Sequence, residues 1–141
     1  MCIRDRNMSG KELIQVKDVM KHELDIIDGM STVQEALNAM EHVHNKCLII
    51  DKRHENDEYG IVMIADIAKH VLAKDRAPDR VNVYEIMSKP VIRVDANMDI
   101  RYCARLFDNF GLSRAPVMQD GKLVGIVSFT DMVMRSMRES D

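Results

Sequence analysis

Apolar positions along the chain form a pattern that occurs twice. Val33, Ala36, Leu37, Met40 and Val43 follow the spacing i, i+3, i+4, i+7, i+10, which is one face of an amphipathic helix. Ile100, Cys103, Ala104, Phe107 and Phe110 repeat it at one constant offset. Each predicted helix precedes a short apolar run, Cys47-Leu48-Ile49-Ile50 and Ala115-Pro116-Val117-Met118, which reads as a buried strand. A polar turn follows, Lys52 to Glu58 in the first copy and Gln119-Asp120-Gly121-Lys122 in the second. Asp120-Gly121 predicts a tight hairpin. The returning strands, Gly60 to Asp66 and Gly125 to Asp131, match at a slightly smaller offset than the helices, so the first hairpin is two residues longer. Helices over Ala65 to Ala73 and Thr130 to Arg138 close the copies, and short strands over Leu24 to Ile27 and Val91 to Val94 open them. Ser31 with Gln34 has capping-box spacing at the start of the first amphipathic helix, and Asn97 or Asp99 is placed to cap the second.

The expected fold is therefore α/β, of the α+β kind, built from two pseudo-twofold-related repeats, each β-α-β-β-α. The first repeat is read as residues 11–74, a polar, proline-containing linker as 75–82, and the second repeat as 83–141. A unit of this size buries little surface alone, so the two repeats are expected to pack face to face as one module. Residues 1–10 stand apart as a disordered or artefactual leader. Met1 to Arg6 has no periodicity and no capping logic, and Met8 is the expected start.

Composition narrows the function classes. The chain of 141 residues has 46% apolar and 30% charged residues, values of a globular protein rather than a disordered one. No apolar run reaches the roughly 20 residues of a membrane-spanning helix. A net charge of −3 argues against a protein that holds nucleic acid through its phosphates. Cys2, Cys47 and Cys103 lie far apart in the chain, and their spacing matches no zinc or redox motif. A sparse, odd cysteine count without a signal peptide points to a reducing cytoplasm. His42, His44, Cys47 and His54 are possible soft ligands, but their spacing fits no zinc pattern, and no metal is expected. There is no Trp, and twelve methionines supply much of the core volume. Met132, Met134 and Met137, with Val133, leave too many apolar faces on the last helix for it to be solvated all round, which predicts packing against a second subunit.

Taken together, Val16-x-x-Val19-Met20 and Val83-x-x-Ile86-Met87, Arg114-Ala115-Pro116-Val117, and the segments Gly60 to Asp66 and Gly125 to Asp131 resemble a tandem pair of cystathionine-β-synthase-type (CBS) domains, a Bateman module. The resemblance covers about Val16 to Met137. No single motif is specific; their recurrence at matched spacing is. The resemblance implies a pseudo-twofold module with clefts between the repeats, where many members bind AMP, ADP, ATP, S-adenosylmethionine or signalling dinucleotides. It also implies pairing into homodimers. In ligand-binding members, Gly-apolar-apolar-Ser/Thr-x-x-Asp places a hydroxyl near phosphate or ribose and an Asp on the ribose hydroxyls. Gly125, Ser128 and Asp131 fit that pattern. The first copy keeps Asp66 but has Met63 where the second has Ser128, which weakens the expectation of polyphosphate contact there.

The same residues have readings without a ligand. Ser128 precedes a helix and can cap it, with Asp131 in the first turn near the positive end of the dipole. That geometry also leaves backbone amides able to attract an anion. Gly125 and Gly60 lie inside strands, where glycine marks close approach of a ligand or of another backbone; close packing between the two repeats is the alternative. Arg114, with Pro116 beside it, precedes a buried strand and can offer a guanidinium fork to phosphate; a salt-bridged surface arginine is the alternative. Cys47 is its register partner, so the second copy is expected to be the better anion site. Adenine would be held by backbone near Ile92 or Leu24. The linker bases Lys74, Arg76 and Arg80 are expected to be balanced by Asp75 and Asp79.

No nucleophile elbow, P-loop or metalloprotease helix is present, so no enzyme is expected. The sequence reads as a cytoplasmic, non-catalytic regulatory module. It would sense an adenosine nucleotide through Ser128, Asp131, Arg114, Pro116, Ile92, Gly125 and Asp66, and would act as a homodimer on an unknown protein effector. No cofactor, nucleic acid or membrane partner is expected. A ligand-free dimerisation and interaction scaffold is the alternative.

Overall fold

The structure, a computed structural model, describes residues 13–138. The expected leader 1–10, and Cys2 with it, lies outside them. The elements are α1 (Val16–Val19), β1 (Ile26–Ile27), α2 (Val33–Ala39), β2 (Cys47–Ile50), β3 (Gly60–Met63), α3 (Ile64–Ile67), β4 (Val94–Asp95), α4 (Ile100–Phe110), β5 (Arg114–Gln119), β6 (Lys122–Ser128) and α5 (Phe129–Ser136). They form two three-stranded sheets with the same topology. β1 runs parallel to β2, which pairs antiparallel with β3, and β4, β5 and β6 repeat this.

The chain divides into two compact units. Among the described residues, one joins 13–22 with 93–138; the other is Glu23–Ile92. The compact units therefore differ in composition from the sequence repeats, because the segment that opens each repeat packs on the sheet of the other. In the first of these units, Val16, Val19 and Met20 pack with Val94, Cys103, Phe107, Val117, Val127 and Met132. In the Glu23–Ile92 unit, Val81 and Val83 pack with Val33, Leu48, Ile50 and Val62. Burial pushes the Cys103 thiol up to about 11, so it is a core group and not a nucleophile.

Local chemistry explains most element boundaries. At the Asp120-Gly121 turn both residues have positive φ, 52° and 78°, as a tight hairpin turn that matches strand twist requires. Asp99 caps α4, its carboxylate accepting the Arg101 N–H at 2.9 Å. The cap of α2 departs from the expected Ser31 and Gln34. Thr32 Oγ accepts the Glu35 N–H at 3.0 Å and Glu35 accepts the Thr32 N–H at 2.8 Å. Both pairs have capping-box spacing, but Glu35 brings a charged acceptor to the positive end of the helix dipole. Gln34 instead donates to Asn38. The helix expected over Ala65 to Ala73 begins as α3 and continues as a π-helical stretch, Ala68–Leu72. The opening strands are shorter than expected, with two residues each.

Asp25 is a buried polar anchor in the Glu23–Ile92 unit. Its two carboxylate oxygens accept the N–H groups of Glu41 and His42, both at 2.8 Å. Removing the carboxylate leaves those donors to partial solvation. Asp25→Ala is expected to lower stability by about 2 kcal/mol in urea unfolding, with Asp25→Asn recovering part of it through one retained acceptor. Unchanged stability in Asp25→Ala would show that the hydrogen bonds contribute nothing.

Asp57 fixes the loop between β2 and β3. Its Oδ2 accepts from Lys89 Nζ at 2.8 Å and from the Arg53 N–H at 2.9 Å. The Lys89 ammonium, and then the Arg53 backbone, hold the carboxyl far below its ordinary 3.8. Because the folded value lies below the unfolded one, this contribution is present above about pH 4 and is lost as pH falls through the folded value. The melting temperature is expected to fall more steeply below about pH 4 in the natural protein than in Asp57→Asn. Parallel pH profiles would exclude the linkage.

Candidate functional site

The junction of β6 and α5 gathers the polar groups that the sequence singled out. Ser128 is the N-cap of α5 in extended conformation, and its Oγ accepts the Asp131 N–H at 3.1 Å. The same hydroxyl donates to Asp131 Oδ2 at 3.0 Å. The capping role expected for Ser128 is thus present. Asp131 itself is only 5% exposed. Its other oxygen lies 3.5 Å from Lys21 Nζ.

Lys21 reaches this position through the backbone. Its N–H and C=O exchange hydrogen bonds with Ile126, both at 2.9 Å, so the segment after α1 lies along β6 as a short additional edge. Arg135 of α5 secures it from the other side, donating from Nη1 to the carbonyls of Val19 at 3.2 Å and Met20 at 3.0 Å. Gly125 makes the approach possible. A Cβ there would collide with the Lys21 carbonyl oxygen and lie 2.9 Å from Met20 Sδ. Lys21 opens the first sequence repeat and Gly125 lies in the second. The close approach at Gly125 is therefore backbone packing between repeats, and it falls inside one compact unit.

Arg114 faces Ser128 directly across the β5–β6 ladder, and Pro116 faces Ile126. Directly paired residues share a face, and so do positions two apart. Arg114, Pro116 and Ser128 therefore lie on one face of the sheet. Arg114 Nε contacts Ser113 Oγ at 3.4 Å, a long interaction. Ser128, Asp131, Arg114, Pro116 and Gly125 thus belong to one compact unit. Asp66 and Ile92 belong to the other.

The equivalent junction of β3 and α3 differs in chemistry. Met63 has no hydroxyl and makes no side-chain cap bond to α3; only the reverse bond is present, with Asp66 Oδ2 accepting the Met63 N–H at 2.8 Å. Ser88 lies against Ile61 with hydrogen bonds of 3.0 and 2.9 Å, as Lys21 lies against Ile126. Asp66 consequently faces a serine position where Asp131 has a lysine. Basic groups approach Asp66 from elsewhere, since His70, Lys74 and Arg76 line a cavity of about 360 Å³ with it. Within the linker, Arg76 also pairs with Glu85 at 3.1 Å.

Sequence reasoning missed Lys21 and Arg135. Lys21 had a signal, because it directly follows the Val16-x-x-Val19-Met20 motif whose second copy runs into Ser88. Arg135 had none, because its partners are backbone carbonyls near the other end of the chain. Among the described residues, no three His, Cys, Asp or Glu side chains converge as a metal site. His42 and His44 meet edge to face at 6.1 Å between ring centres. No described helix is long and apolar enough to cross a membrane.

Residues 16–73 and 83–138 each match the family model of the CBS domain. The uncharacterized protein MK0525 of Methanopyrus kandleri is 33% identical over 113 residues, covering 77% of this chain and 57% of that protein. The CBS domain-containing protein YhcV of Bacillus subtilis is 28% identical over 122 residues, covering 86% and 85%. Among solved structures, the hexameric CBS-CP12 protein from bloom-forming cyanobacteria has a TM-score of 0.83 at 38% identity, covering 89% of this chain and 72% of that one. The chain spans little more than half of the Methanopyrus relative's length.

Proposed function

The chain belongs to the CBS-domain family, with two copies in tandem, and from that premise we propose that it is a regulatory module that senses an adenosine nucleotide at the Ser128–Asp131 junction. Tandem CBS modules are generally regulatory rather than catalytic. The observation that carries the reading is the buried Asp131 carboxylate, met by one hydroxyl and one lysine. In this reading Asp131 accepts the ribose hydroxyls. Ser128, Arg114 and Lys21 meet phosphate. Binding would require Lys21 to leave Asp131, so the liganded and free arrangements differ, as a signal requires.

Thermal unfolding with AMP, ADP, ATP and S-adenosylmethionine tests this. A ligand at about a hundred times its Kd stabilises by about 2.7 kcal/mol, a shift of several degrees for a chain of this size. No shift with any of the four, in protein free of absorbance at 260 nm, would overturn the reading. The second reading, a ligand-free interaction scaffold, draws on the exposed Val133, Met134 and Met137 at the end of the chain's last helix. Such a face suits a second copy or an effector protein. A concentration-dependent oligomer that survives nucleotide removal would favour it.

A further inference from the structure

At the end of the β2–β3 ladder away from Met63 and Asp66, where Ile50 pairs with Gly60, lies a cavity of about 470 Å³. It shares no residue with the Ser128–Asp131 junction, and its volume is that of a small-molecule site. Ile50, Met87, Met30 and the Tyr84 ring supply an apolar lining. Met30 and Tyr84 stay exposed, at 68% and 48%, so the cavity has apolar surface that the fold itself does not use.

Its charged groups are arranged asymmetrically. β1 and β2 are parallel with Ile27 beside Ile50, and Asp51 N–H donates to the Ile27 carbonyl at 2.9 Å. The next residues on the two strands, Asp28 and Asp51, both line the cavity. Each uses one carboxylate oxygen on a nearby backbone N–H, that of Met30 at 2.9 Å and that of Lys52 at 2.8 Å. The second oxygen of each has no partner among the described residues. Like charges on neighbouring strands repel, and a cation between them would relieve this. Arg53 and Lys89 also line the cavity. Lys89 is answered by Asp57 at 2.8 Å. The Arg53 side chain meets Asp57 only through Nε at 3.3 Å, which leaves its two terminal nitrogens for an anion.

One cation position, one anion position and an apolar lining together describe a zwitterion with a short apolar tail. We infer that this cavity binds a free α-amino acid with an apolar side chain. Asp28 and Asp51 take the ammonium, Arg53 takes the carboxylate, and Ile50, Met87 and Tyr84 take the side chain. A phosphate ester fits less well, because its charge would face the two unneutralised carboxylates.

Titration calorimetry of the full chain with leucine, isoleucine, valine and methionine tests the inference, with N-acetyl-leucine and leucinamide as controls. At least one of the four is expected to bind, and each control, lacking one charge, to bind at least about tenfold more weakly. Asp51→Asn and Arg53→Gln are each expected to weaken binding by about tenfold while leaving any response to AMP unchanged, and Asp51→Asn is expected to hold or raise the melting temperature of the unliganded protein, because it removes one of two repelling charges. The amide oxygen introduced by Asp51→Asn can still accept the Lys52 N–H, and Lys89 still holds Asp57, so both variants should fold. No binding of any of the four amino acids, equal binding of either control, or unaltered affinity in Arg53→Gln would overturn it. Failure here leaves the nucleotide reading standing, because the two sites share no residue.

Discussion

Gly125→Ala is expected to be the most damaging single-methyl change in the described chain, costing about 3 kcal/mol and lowering the melting temperature by roughly 10 °C. The added Cβ meets a backbone carbonyl, that of Lys21, and not the tip of a side chain that can swing aside. Relief requires the Met20-Lys21 segment to move off β6. That movement breaks both hydrogen bonds to Ile126 and withdraws Met20, which is 5% exposed, from the core. Gly60→Ala is the matched control. Its Cβ would meet Met87 Sδ at 2.9 Å and the Ser88 carbonyl at 3.3 Å. The thioether can rotate, so about 1 kcal/mol is expected there. Urea unfolding of both variants decides the matter. Equal losses at the two glycines would mean that side-chain crowding, and not the pinned backbone, sets the cost.

This contrast shows where sequence reading reached and where it stopped. The repeat was legible because a helix face and a strand each impose a period, and both periods recur at nearly one offset. The Asp120-Gly121 turn and the Ser128 cap were legible because each is a local device, complete within four residues. The choice of Thr32 over Ser31 was ambiguous, because two overlapping pairs satisfy the same spacing and only the charge of Glu35 separates them. The setting of Asp131 was legible only in part. Its hydroxyl partner, Ser128, is local. Its lysine comes from near the start of the chain, and arrives because the opening segment of one repeat lies along the sheet of the other. The Asp28–Asp51 pair was hidden for a similar reason, since a parallel register between distant strands brings the residues level. The two glycines looked equivalent in sequence, and the atom opposite each one makes them unequal.

Asp131→Ala is expected to lower affinity for adenosine and for AMP alike, by about ten- to a hundredfold, since charge-assisted hydrogen bonds contribute about 1.5–3 kcal/mol. Lys21→Met should separate the two ligands. In the free protein the Lys21 ammonium lies 3.5 Å from Asp131, and its side chain remains 27% exposed, enough to reorient. If it moves to phosphate when the ribose takes Asp131, Lys21→Met weakens AMP. It leaves adenosine unchanged or slightly tighter, because the nucleoside then has no ammonium to displace. Calorimetry of both ligands against both variants gives a two-by-two comparison, with the far-ultraviolet dichroism of each variant as the control for folding. Unchanged AMP affinity in a folded Asp131→Ala protein would remove Asp131 from the site and the nucleotide reading with it. Equal weakening of adenosine and AMP by Lys21→Met would retain the site but make the lysine a support for Asp131, because only a group that meets the phosphate can tell the two ligands apart.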